Sequence, residues 1–165
     1  MTRLRRSALY VRNVIFGVED SLAATVGLLS GIAAEQVPHQ TLLLTGFVYI
    51  FVEAFSMGVG SFLSEESAQE YEGRSMTSLR AAFGGVAMFV SCILAGLVPI
   101  LPYLVLDGEA ALAGSITLSL GVLAVLGLAQ GRISRRPVLP RILRMVILGG
   151  AAVLIGVVVG KVFGA

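Results

Sequence analysis

Two carboxylates, Asp20 and Glu53, and one thioether, Met57, stand inside stretches of the chain that are otherwise apolar. An ionised side chain near the centre of a bilayer costs about 2.5–3.5 kcal/mol or more, so such a residue usually marks a functional site. Oxygen donors suit hard divalent cations, and a thioether shifts the preference toward a later first-row metal, so the set suits Fe²⁺ or Mn²⁺. A ligating carboxylate must be deprotonated, so loading the metal releases protons and exchange of metal for protons is the natural chemistry. Glu19, beside Asp20, points about 100° away on a helix and is a possible further ligand or a partner for an arginine.

The spacing puts these groups at one level. Asp20 lies about 9 Å in from the start of the first apolar run, and Met57 about 9 Å back from the end of the second, at about 1.5 Å of rise per residue. In antiparallel helices both are then equally deep. Glu53 shares the face of Met57 one turn nearer the midplane, and Tyr49 continues it. On the first helix Asn13, Gly17, Asp20, Ala24, Gly27 and Gly31 step by three or four into a stripe of small and polar residues, which permits close helix approach. Two copies meeting along that stripe about a two-fold axis would bring both Asp20 carboxylates together, so a homodimer with its first helices at the axis is expected. Beyond the second run, Glu65, Glu66, Glu70 and Glu72 fall on a short acidic helical segment, 64–80, where they would raise the local cation concentration.

The elements that position these groups are membrane helices. The chain has 165 residues, 56 % hydrophobic and 13 % charged, against about 25 % charged in ordinary soluble domains. Five runs, 14–34, 41–63, 82–106, 111–129 and 142–163, reach the about 20 residues needed to cross a hydrocarbon core. Lipid offers the backbone no partners, so each run is a helix, and the fold is an all-α, five-span transmembrane domain covering 1–165. Arginines precede the first run and occupy the 2–3 and 4–5 connections, whereas the other two connections carry no Lys or Arg. This places the N-terminus in the cytosol and the C-terminus outside. Lys161 lies on the other side and can snorkel from its helix end. The basic start resembles a signal peptide, but Glu19 and Asp20 interrupt its apolar run, so a retained cytosolic end is expected. Pro99 and Pro102 should bend or unwind the third run near its outer end, and His39 should sit in a loop.

Several classes are excluded. The single cysteine, Cys92, allows no disulfide framework and no Cys-rich metal site. A formal charge of +2 offers no footprint for nucleic acid. One histidine in an outer connection and no nucleophile-base pair leave a hydrolase without machinery, so the protein is not expected to be an enzyme.

The segments RNVIFGVEDSLAATVGLLSGIA from Arg12, AFSMGVGSFLSEESAQEYE from Ala54 and GLVPILPY from Gly96 resemble the vacuolar iron transporter family, across all five runs. The resemblance implies a five-span homodimer that exports Fe²⁺ or Mn²⁺ from the cytosol in exchange for protons, with its path at the dimer interface. It also implies a membrane metal site at Asp20 and at Met57 of Ser56-Met57-Gly58. Many members carry glycine where this chain has Ser21 and a glutamate where it has Tyr49. Plant and fungal members insert a long cytosolic metal-binding domain between spans two and three, in place of which this chain has only the four glutamates and Met76. The expected function is therefore proton-coupled divalent metal transport out of the cytosol, with no permanently bound cofactor. Metal ion, protons, membrane lipid and a second copy are the partners, in a plasma membrane or, alternatively, an organelle. The other class open to this pattern is a non-transporting assembly partner whose buried carboxylates are structural.

Overall fold

The computed structural model describes residues 3–35, 37–71, 73 and 78–164. They form five helices: α1 (Arg3–Ala34), α2 (His39–Tyr71), α3 (Ser78–Val105), α4 (Gly108–Ile133) and α5 (Leu139–Phe163). All five are long and apolar enough to cross a membrane. Large apolar side chains such as Leu44, Phe55, Ile147 and Leu154 are exposed on the exterior, as suits a surface that meets lipid.

Breaks in the chain follow local chemistry. Pro38 precedes α2; Gly108, in the left-handed region at φ 58°, opens α4 after Asp107; Pro140 stands in the first turn of α5, where proline costs no hydrogen bond. His39 is the first residue of α2 rather than a loop residue, and its Nδ1 lies 3.7 Å from Asp107 Oδ1, so the α1–α2 and α3–α4 connections lie side by side. Pro99 and Pro102 do not unwind α3, which runs on to Val105. The Ser115 hydroxyl of α4 donates to the Pro99 carbonyl at 2.7 Å, so a neighbouring helix supplies a partner inside the proline-bearing turn.

α2 is 33 residues long, about 50 Å at about 1.5 Å per residue, against a hydrocarbon core of about 30 Å. Its last turns, which carry Glu65, Glu66 and Glu70, therefore project past the membrane as a direct continuation of the span. α1, of 32 residues, projects at the same end, which also holds Arg12, Arg132, Arg135, Arg136, Arg141 and Arg144. We call it the arginine end, and the opposite end, where α1 finishes, the Glu35 end.

The bundle is built around α1, which contacts each of the other four helices. Among the described residues the neighbour contacts run α2 to α3, α3 to α4 and α4 to α5, and α2 and α5 do not touch. α1 is thus enclosed by a ring with one opening, between α2 and α5. Small residues bring α1 and α5 together: a Cβ on Gly27 would stand 2.8 Å from the Ala152 carbonyl oxygen, one on Gly31 2.5 Å from that of Gly156, and one on Gly156 would collide with Gly27. Gly27 and Gly31, expected to meet a second copy, are covered by α5 of their own chain. The Gly156 and Gly160 pair supplies the matching surface.

Candidate metal site at the helix crossing

Only part of the α1 stripe faces the opening. Gly17 packs on α3, its Cβ position lying 2.5 Å from Ser91 Oγ and 2.9 Å from Met88 Sδ. Asn13 is buried as well, and its Nδ2 donates to Ser61 Oγ of α2 at 2.8 Å and to the Gly84 carbonyl of α3 at 3.2 Å. A single amide therefore ties three helices at the arginine end. Asp20, half-buried, lies one turn beyond Gly17.

On α2 the row Tyr49, Glu53, Met57, Ser61, Glu65 and Gln69 repeats every fourth residue, so it winds slowly along one side of the helix. Glu53 is held at both oxygens. The Tyr49 hydroxyl donates to Oε1 at 2.8 Å, and the Ser21 hydroxyl of α1 donates to Oε2 at 3.0 Å. The same Ser21 oxygen lies 2.9 Å from the Cys92 carbonyl of α3, so one hydroxyl proton faces two acceptors. Glu53 is within electrostatic reach of Asp20, and Tyr49 and Cys92 are each within reach of both carboxylates.

Two cavities flank this cluster. A cleft of about 560 Å³ at the arginine end is lined by Arg12, Asn13 and Phe16 of α1, Ser56, Met57 and Ser64 of α2, and Met88 of α3. A groove of about 690 Å³ at the other end occupies the opening between α2 and α5, with Ala23, Ala24, Leu28 and Glu35 of α1, Tyr49, and Gly156 and Phe163 among its walls. Along α1 the cleft stops at Phe16 and the groove begins at Ala23, so Asp20 falls between them. Along α2 the groove takes Tyr49 and the cleft begins at Ser56, so Glu53 falls between them too.

The candidate residues are thus distributed in three places. Asp20 and Glu53 share the crossing of α1 and α2. Met57 lines the cleft one turn away and packs in a cluster with Ala54, Met88 and Cys92. Glu65, Glu66 and Glu70 ride at the projecting end of α2, where Gln69 Nε2 donates to Glu65 Oε1 at 3.0 Å; Glu72, like Met76, lies outside the described residues. Glu19 is half-buried and makes no ion pair among the described residues. Nor do three His, Cys, Asp or Glu side chains of one chain converge on a point there. What one chain offers at the crossing is two carboxylates, with a thioether one turn from Glu53.

The family model described as the VIT family matches residues 11–84 and 76–161, which together take in all five spans. The chain belongs to the VIT family. Vacuolar iron transporter homolog 4 of Arabidopsis thaliana is 27 % identical over 91 % of this chain and 82 % of its own length. Homolog 3 of the same plant is 28 % identical over 91 % of this chain and 81 % of its own. Vacuolar iron transporter 1 of Tulipa gesneriana is 33 % identical, over 40 % of this chain and 27 % of its own length; the chain spans only about a quarter of that relative. Ser21 and Tyr49 are the two residues that hold Glu53.

Helical spacing puts Tyr49 on the face of Glu53 but does not assign it a bond. Ser21 and Asn13 are not recognisable from the sequence as partners of α2. Their signal is present in type alone, a hydroxyl and an amide at buried α1 positions, since what they reach depends on how α1 is rotated against α2 and α3.

Proposed function

We propose that this VIT-family chain is a transporter of divalent metal, Fe²⁺ or Mn²⁺, that moves its cargo out of the cytosol in exchange for protons. The observation that carries this is the position of Asp20 and Glu53, two carboxylates on stretches of α1 and α2 that separate a cleft lying toward the arginine end from a groove lying toward the Glu35 end. A structural carboxylate pair has no need of cavities on both sides, whereas a cargo site does. The relatives named vacuolar iron transporters support iron as one cargo.

In this function Asp20 and Glu53 supply oxygen ligands and Met57 a soft one. Glu65, Glu66, Glu70 and Glu72 gather cations at the arginine end, which the positive-inside rule puts in the cytosol. Glu19, beside Asp20 on α1, is a further candidate ligand. A first-row divalent ion in an oxygen-rich site takes about six donors, more than one chain offers at the crossing. A second copy facing the opening between α2 and α5, where Ala24 lines the groove one turn from Asp20, would double the set, and a homodimer is therefore part of the proposal. The relatives named for the vacuole lend no support to a plasma membrane over an organelle, and the proposed setting is a multi-pass position in either.

Proteoliposomes with Fe²⁺ or Mn²⁺ on one side and a pH-sensitive dye on the other test this function. Metal movement with opposite proton movement is the expected result; intact, dimeric protein that moves neither metal would refute it.

A further inference from the structure

Building on the transport function proposed above, we infer that the Tyr49 and Ser21 hydroxyls form the latch that closes the passage between the two cavities, by holding Glu53 across it. Along α2, Glu53 stands between Tyr49 of the groove wall and Ser56 and Met57 of the cleft wall, and its two oxygens are fixed from two helices, by Tyr49 at 2.8 Å and by Ser21 at 3.0 Å. While both bonds stand, the carboxylate is pinned between α1 and α2. A cation arriving at Met57 from the cleft meets Glu53 with both oxygens already engaged.

Release is inexpensive because neither hydroxyl is stranded by it. Ser21 Oγ already lies 2.9 Å from the Cys92 carbonyl, so its proton can pass to that acceptor when Glu53 turns away. Tyr49 lines the groove, where water can take its hydroxyl. A buried donor left without a partner costs about 1–3 kcal/mol, and that penalty would have frozen the latch had either hydroxyl lacked an alternative. Ser21 and Tyr49 are positioning residues acting through Glu53, and they set how often the two cavities connect.

The test needs no metal transport, so its outcome is separate from that of the function proposed above. In a Cys92→Ala background, which removes the chain's single cysteine but keeps the carbonyl, one thiol is introduced in the groove by Ala24→Cys. Ag⁺ is then added at one or the other face of oriented proteoliposomes, and its reaction is read as protection from a maleimide. With Tyr49 and Ser21 intact, Ag⁺ is expected to reach the introduced thiol from the Glu35 end only.

Tyr49→Phe, which keeps the ring, and Ser21→Ala should each raise the rate from the arginine end by about fivefold to tenfold, as loss of one hydrogen bond of this strength predicts. The rate from the Glu35 end should not change, which also reports an intact fold. Three outcomes overturn the latch: equal reactivity from both ends with the hydroxyls present, no gain from the arginine end in either variant, or equal gains at both ends, which would signal a loosened bundle.

Discussion

Tyr49 and Glu53, one turn apart on α2, are joined by a hydrogen bond of 2.8 Å from the phenol to the carboxylate. The bond uses a spacing internal to one helix, so it persists while α1 and α2 shift against each other, whereas the bond from Ser21 depends on their crossing. Glu53→Gln keeps the size of the side chain but leaves one acceptor oxygen for two donors. We expect loss of about 1 kcal/mol of stability for the broken bond together with loss of metal flux. A melting curve read beside a flux assay checks this. Wild-type flux from the variant would remove Glu53 from the cargo site.

Gly27→Leu should destabilise the protomer itself rather than merely separate a dimer. The new side chain would be driven into the Ala152 carbonyl of α5, and overpacking of this kind costs about 1–3 kcal/mol or more. Thermal denaturation in detergent, compared with the mass of the complex by light scattering, checks it. A dissociated but equally stable protomer would move Gly27 to the interface between copies.

Met57→Leu should depress Fe²⁺ flux a few-fold more than Mn²⁺ flux, since the thioether favours the later metal. Paired flux measurements at equal free metal decide it, and an equal loss for both metals would make Met57 a packing residue of the cluster with Met88 and Cys92.

Neutralising Glu65, Glu66, Glu70 and Glu72 together should raise the half-saturating metal concentration several-fold at low ionic strength and much less at high salt. Attraction to a charged mouth is screened over about 10 Å at 0.1 M salt. Flux against metal concentration at two ionic strengths is the measurement. A loss of maximal rate alone would place these residues in the transport step.

Much of this molecule is legible in its sequence because the bilayer allows few solutions. Apolar runs of sufficient length can only be helices, so five spans follow from run length, and Asp20 and Glu53 stand out by being ionisable within them. Helical rise gives depth only to about a turn: it sets Asp20 level with Met57, whereas Ser21, next to Asp20, bonds Glu53 and Met57 stands one turn away. Rotation about the helix axes does not follow. The α1 stripe looks continuous on a helical projection, yet Gly17 faces α3, Gly27 and Gly31 meet α5, and Ala24 lines the groove between α2 and α5. A stripe of small residues marks close approach without naming the partner, and here another helix of the same chain takes that role. Nor can the sequence tell that the Ser115 hydroxyl of α4 comes to the Pro99 carbonyl.

Asp20→Asn tests the central claim most directly, because it removes one charge from the crossing while keeping shape and burial. Purified wild-type and variant protein, matched in melting temperature and oligomeric mass, would be reconstituted and assayed for Fe²⁺ uptake driven by a pH gradient. A cargo site built on Asp20 and Glu53 predicts uptake from the variant no higher than in protein-free vesicles. Uptake at the wild-type rate would show that the cargo crosses without Asp20, contradicting that site.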